Sequence, residues 1–181
     1  MPTSITHAIP AITVGLGLGK DYLSKRLILT GAFIACIPDL DLISVRFWGI
    51  AKDSIYGHRG YTHSIFFALI LALIVSLFFY KSGFKKAFIF LTFCAVSHGI
   101  LDSFTEGGLG VALLWPMSDQ RYYAFVQPIM NVGVSFRALY MTNRGLPIFI
   151  SEFVWVWIPF LILGVMLRFN VFSSLKQKIS R

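Results

Sequence analysis

The chain has 181 residues, of which 56% are hydrophobic and only 13% charged, with a net charge of +8 and a mean hydropathy of +0.74. A soluble domain carries about 25% charged residues, so the composition excludes one and implies a single all-α polytopic membrane domain over residues 1–181. The basic residues sit at the ends of apolar runs, so membrane topology accounts for the charge, and no nucleic-acid partner is expected.

Five apolar stretches follow in chain order, and the length accommodates about five transmembrane or membrane-embedded helices. The first, from His7 to Gly19, is short. Its Gly15, Gly17 and Gly19 make no dinucleotide fingerprint and read as sites of close helix packing. It lacks a basic n-region, so no cleavable signal peptide is expected. The second, Leu27 to Ile43, is broken by Pro38-Asp39-Leu40-Asp41. The third, Ser64 to Tyr80, is uncharged, and Thr62 or Ser64 can cap it. The fourth runs from Ala87 to Phe104, and the fifth from Leu146 to Phe169 with Glu152 and Pro159 inside it. Thr105 to Gly145 is a linker of mixed polarity. Cys36 and Cys94 lie within apolar runs and read as small core residues. Trp115, Tyr122, Tyr123, Trp155 and Trp157 suit an interfacial belt.

Strict alternation of five spans brings three basic clusters to one side: Lys20, Lys25 and Arg26; Lys81, Lys85 and Lys86; Arg168, Lys176, Lys178 and Arg181. The positive-inside rule makes that side cytoplasmic, with the C-terminus. Against this, Arg46, Lys52, Arg59, Arg121, Arg137 and Arg144 fall in outer loops.

The polar residues with metal-binding chemistry fall at the opposite ends. His7 opens the first segment. Asp39 and Asp41 close the second, His58 and His63 precede the third, and His98 and Asp102 close the fourth. At 1.5 Å per residue they lie roughly 17–27 Å from the basic ends, near the outer boundary of a hydrocarbon core about 30 Å thick. His98 and Asp102 are four apart, so one helix face presents both. Imidazole nitrogen and carboxylate oxygen are the usual donors to zinc and related ions. The set exceeds what one tetrahedral ion needs, so one or two divalent ions are expected, zinc first, with manganese or iron as alternatives. Helix-end hydrogen bonding and a Pro-Asp turn stand as structural alternatives. Arg59 is the candidate anion holder. Glu152, an acid inside an apolar run, is a candidate general acid/base or ligand.

Together these strings resemble the YdjM family: His7; Pro38 to Asp41; His58-Arg59-Gly60-Tyr61-Thr62-His63-Ser64; and His98, Asp102, Thr105 and Gly107. That family comprises LexA-regulated, inner-membrane-associated proteins described as metal-dependent hydrolases. The resemblance covers about the first 110 residues and implies metal-site roles for His7, Asp39, Asp41, His58, His63, His98 and Asp102. A looser similarity to zinc-dependent phospholipase C and P1-type nucleases implies phosphoester chemistry, although the later His-x-x-x-Glu element is absent. The expectation is a multi-pass inner-membrane hydrolase with its site toward the outer face, acting on an anionic lipid or lipid-linked phosphoester. Two alternatives are a metal-ion or proton transporter and a scaffold stapled by a structural metal.

Overall fold

The structure, a computed structural model, describes residues 1–132 and 144–179, with side chains as far as Asn170. Arg137 and Arg181 lie outside the described residues, as do the side chains of Lys176 and Lys178. The helices are α1 (Ser4–Leu18), α2 (Lys25–Ile34), α3 (Asp41–Phe47), α4 (Ile65–Phe79), α5 (Phe84–Ser103), α6 (Gly145–Glu152) and α7 (Ile158–Ile179). A π-helical turn, Phe153–Trp157, joins α6 to α7. Among the described residues there is no strand, only isolated bridges Thr105–Ile129 and Val111–Tyr122.

All five apolar stretches are helical, but fewer than five reach spanning length. Among the described residues, two helices are long and apolar enough to cross a bilayer, Lys81–Ser103 and Gly145–Asn170. The pair Lys25–Ile34 and Ile37–Phe47, bent by 42°, makes a third if it is one broken span. The bend falls at Pro38, where a 3-10 turn, Ile37–Leu40, replaces the α-helix. The expectation of five spans is therefore corrected for α1 and α4. Each has 15 residues, about 22 Å of helix against a core of about 30 Å.

Packing follows membrane rules. The buried residues of α4 are Ala68, Ala72 and Ser76, one small stripe at helical spacing, while Ile70, Ile74, Phe78 and Phe79 are exposed. Small residues let backbones approach, and bulky ones are left for lipid. The same logic joins α1 to α7: a Cβ on Gly17 would collide with the Gly164 carbonyl, and one on Gly164 would lie 2.7 Å from the Thr13 carbonyl oxygen. A Cβ on Gly15 would meet Ile28 of α2. The glycines of α1 thus serve close packing, as the sequence implies. Cys94 is buried and Cys36 half-buried, both as free thiols.

Members of the three basic clusters meet at one pole. Arg26 lies 5.5 Å over the Tyr80 ring, and Lys86 lies 6.0 Å over Tyr22. Arg168 packs against Gly19. His7, Asp39, Asp41, His63, His98 and Asp102 fall at or beside the other ends of the same helices.

Candidate metal centre

The centre is built on the last turns of α5. His98 and Asp102, four apart, project from one face and are fully buried. The Nδ1–H of His98 donates to the Ala35 carbonyl at 2.6 Å. A carbonyl only accepts, so this bond fixes the tautomer and leaves Nε2 with a free lone pair.

His63 arrives from the opposite side on the 3-10 turn Tyr61–His63. Ser64 closes that turn and caps α4, its hydroxyl accepting from the Phe67 N–H at 3.0 Å. The turn packs directly on α5 because residue 99 is glycine: a Cβ there would strike the His63 carbonyl. The His63 Nε2 atom thereby reaches 3.0 Å from His98 Nε2 and 3.3 Å from Asp102 Oδ2.

Asp39 completes the group from the bend after α2. Its Oδ1 lies 3.7 Å from His63 Nε2 and 3.5 Å from His98 Nε2. The remaining measured edge, His98 Nε2 to Asp102 Oδ2, is 4.0 Å. All four residues offer a donor atom within 4.8 Å of the others. A tetrahedral ion with bonds of about 2.0–2.1 Å separates its ligands by about 3.3 Å, and these edges bracket that value. Among the described residues, neither oxygen of Asp39 or Asp102 has a hydrogen-bond partner. Arg59 Nε stands 3.1 Å from Asp102 Oδ2 as an ion pair without hydrogen-bond alignment. Buried carboxylates without donors are costly. A bound cation removes that cost, so the residues fit a divalent ion.

Asp41 belongs to a second group, with His58 and His63, but its surroundings differ. Its Oδ1 accepts from His58 Nδ1–H at 2.9 Å. Its Oδ2 accepts from the Arg59 backbone N–H at 3.1 Å and the Thr62 hydroxyl at 2.9 Å. His63 Nδ1 lies 3.2 Å from the same oxygen and 3.0 Å from the Thr62 hydroxyl. Both Asp41 oxygens and the ring nitrogens facing them are already engaged with one another, which favours the first group as the ion site. Asp41 then orients His63, whose proton on Nδ1 leaves Nε2 for the ion, the carboxylate–histidine arrangement common around metals. Burial alone would lower the His63 pKa, but Asp102, Asp39 and Asp41 outweigh it and hold the metal-free imidazole well above the usual histidine range.

His7, at the start of α1, stacks on His98 with ring centroids 3.8 Å apart. Its Nε2 lies 3.5 Å from Asp102 Oδ1, and neither ring nitrogen has a hydrogen-bond partner among the described residues. His7 therefore faces the Asp102 oxygen turned away from His63. Arg59 is 2% exposed and adopts φ +62°, a left-handed conformation that costs a side-chain residue about 1–2 kcal/mol. This turn of the backbone carries its guanidinium inward to Asp102. Its Nη1 donates to the Gly107 carbonyl at 3.3 Å, and Gly107 itself takes φ +66°.

Glu152 is brought elsewhere. Its carboxylate accepts from the Thr3 N–H at 2.6 Å, the Thr3 hydroxyl at 2.7 Å and the Thr6 hydroxyl at 2.6 Å. It sits at the N-terminus of α1, where a negative charge complements the helix dipole. It is not among the grouped donor residues. Trp157, on the π-turn, donates from Nε1 to Thr6 at 2.9 Å and extends this network.

Several contributors escape the sequence reading: Thr62, the Ala35 carbonyl, Gly99 and Arg121. Arg121 Nη2 donates to the carbonyls of Asp53 at 3.2 Å and Ser54 at 2.9 Å, and Nη1 to that of His58 at 3.1 Å. It clamps the loop carrying His58 and Arg59. The available signal was its location, an arginine on the non-basic side of an apolar protein.

These features define an all-helical membrane protein with a buried histidine–carboxylate centre. The chain belongs to the family described as YdjM inner membrane protein, which matches residues 1–175. It is 41% identical over 170 residues to the inner membrane protein YbcI of Escherichia coli (strain K12), covering 92% of this chain and 97% of that relative. No solved structure matches the chain.

Proposed function

We propose that this protein is a metal-dependent hydrolase of the inner membrane that cleaves a phosphoester of a lipid or lipid-linked substrate. The observation that carries the reading is the convergence of Asp39, His63, His98 and Asp102, with the carboxylate oxygens of both aspartates left without hydrogen-bond donors. These four would hold the first divalent ion, zinc by donor type. His7 and the second oxygen of Asp102 offer the start of a second site. A divalent ion supplies Lewis acidity and lowers the pKa of bound water. The chain's own residues do the rest: Asp41 and Thr62 orient His63, the Ala35 carbonyl orients His98, and Arg59 presents a guanidinium to an anionic group.

The reading extends to topology. All five apolar segments are membrane-embedded, α1 and α4 as short helices. The basic pole and the C-terminus face the cytoplasm, and the centre lies near the outer boundary, where an anionic lipid headgroup reaches it from the bilayer. Transport is less well supported. Away from the centre, α4 buries only Ala68, Ala72 and Ser76, and α5 buries Ala87, Phe90, Leu91, Cys94 and Ala95, with no ionisable chain of the kind an ion path uses.

The test is hydrolysis by purified protein supplied with divalent metal across a panel of lipid phosphoesters. Cleavage that disappears in Asp102→Ala supports the proposal. Wild-type cleavage no greater than that variant's would leave the centre as a structural staple.

A further inference from the structure

A small cavity beside the metal centre has no part in ligating the ion. Its volume is about 30 Å³, and its wall includes Lys52, His58, Arg59, Gly108, Leu109 and Asn131. That is room for roughly two water-sized groups. The wall also includes Met1; its side-chain cations are Lys52 and Arg59, and it has no carboxylate. Arg59 is 2% exposed, and its Nη2 has no hydrogen-bond partner among the described residues. The Nε of the same guanidinium stands 3.1 Å from Asp102 Oδ2. Nε–H and one N–H of Nη2 leave a guanidinium by the same edge, so an acceptor on Nη2 lies next to the Asp102 carboxylate. His58 Nδ1 is engaged by Asp41, which leaves Nε2 as its ring atom for a ligand. Gly108, at φ +85°, keeps the space beside the guanidinium clear: a Cβ would stand 2.8 Å from Arg59 Nη1.

We propose that this cavity is the subsite for a terminal phosphate group, with Lys52 as a second anion-binding residue beside Arg59. The proposal rests on the phosphoester reading and narrows it to monoesters. The cavity's two side-chain cations, Lys52 and Arg59, favour the phosphate that carries more charge. A dianionic terminal phosphate gains more than a monoanionic diester from two cations.

The experiment titrates inorganic phosphate into the full-length, zinc-loaded protein, read by calorimetry and by broadening of the phosphorus resonance. Lys52→Ala is expected to weaken phosphate binding about tenfold, the loss of one charged hydrogen bond, at unchanged zinc content, and Lys52→Arg to restore most of it. Phosphate binding by Lys52→Ala equal to wild type, or no binding by wild type, overturns the subsite. In a second arm, nanodiscs containing phosphatidate compete with inorganic phosphate if the phosphate belongs to a lipid headgroup. If glycerol phosphate competes and phosphatidate does not, the subsite stands with a soluble monoester as its source. Equal competition by phosphatidylglycerol, a diester, overturns the monoester assignment. Lys52-dependent phosphate binding without hydrolysis of any ester would refute the hydrolase reading and leave the subsite standing.

Discussion

Asp41→Asn separates a residue that orients ligands from one that is a ligand. The Asp41 carboxylate accepts from His58 Nδ1–H at 2.9 Å, the Arg59 N–H at 3.1 Å and the Thr62 hydroxyl at 2.9 Å. It also lies 3.2 Å from His63 Nδ1. Asparagine keeps the shape but only one accepting oxygen, and its NH2 faces at least one of these donors. An orphaned buried donor costs about 1–3 kcal/mol. The larger effect falls on the imidazole: without its carboxylate, His63 loses both orientation and basicity, and the loss of such an outer partner costs about 10–100-fold in metal affinity. Asp102→Asn, which removes a donor oxygen from the ion itself, is expected to lower affinity further. Competition with a chelating dye in detergent measures both variants, with circular dichroism as a check on folding. Wild-type affinity in folded Asp41→Asn would refute the orienting role. A loss equal to that of Asp102→Asn would make Asp41 a ligand.

Gly99→Ala places a methyl group against the His63 carbonyl, so the Tyr61–His63 turn must withdraw from α5. A displacement on the order of 1 Å at a functional site costs up to about 100-fold, and the variant is expected to lose zinc affinity while keeping its helicity; unchanged affinity would show that the turn can shift without moving His63. Glu152→Gln is expected to lower the thermal midpoint in detergent, through loss of about 2 kcal/mol from the Thr3–Thr6 network, with zinc stoichiometry unchanged. Loss of hydrolysis at an unaltered midpoint would instead assign Glu152 to the chemistry. For pH, the sign follows from His63, whose pKa in the metal-free fold lies well above the ordinary histidine value of 6.5. Its stabilising contribution is complete below that value and is lost as pH rises through the raised folded pKa. Metal-free protein is therefore expected to lose stability as pH rises above about 6.5. The zinc-loaded protein gains relative to it over the same range, because zinc and the proton compete for Nε2. Parallel pH–stability curves for the two forms would contradict this.

Much of the centre was legible in the sequence. The His98–Asp102 spacing requires a shared helix face. The alternation of apolar segments predicts that Asp39, His63 and His98 reach one depth, and the structure brings them together. The span count was less legible. Apolar sequence runs on through the bend at Pro38 and beyond the ends of helices that stop at 15 residues. The roles of individual carboxylates were hidden for a different reason. Asp39 and Asp41 are two residues apart and chemically identical, and only tertiary contacts show that one is free of donors while the other is saturated with them. Glu152 and Arg121 likewise act on backbone groups distant in sequence, Thr3 and the loop from Asp53 to Arg59, which no local pattern reveals. The Arg59 conformation needs the whole loop in place: its left-handed φ is held between Asp102 and the Gly107 carbonyl.

X-ray absorption at the zinc edge, on protein loaded with one equivalent of zinc, tests the central claim most directly. A centre made by Asp39, His63, His98 and Asp102 predicts a first shell of nitrogen and oxygen only, at about 2.0–2.1 Å, with the outer-ring scattering of two imidazoles. The His63→Ala/His98→Ala double variant is expected to lose both the imidazole signal and the bound zinc. A sulfur-containing shell, or equal zinc retention by that variant, would contradict the account.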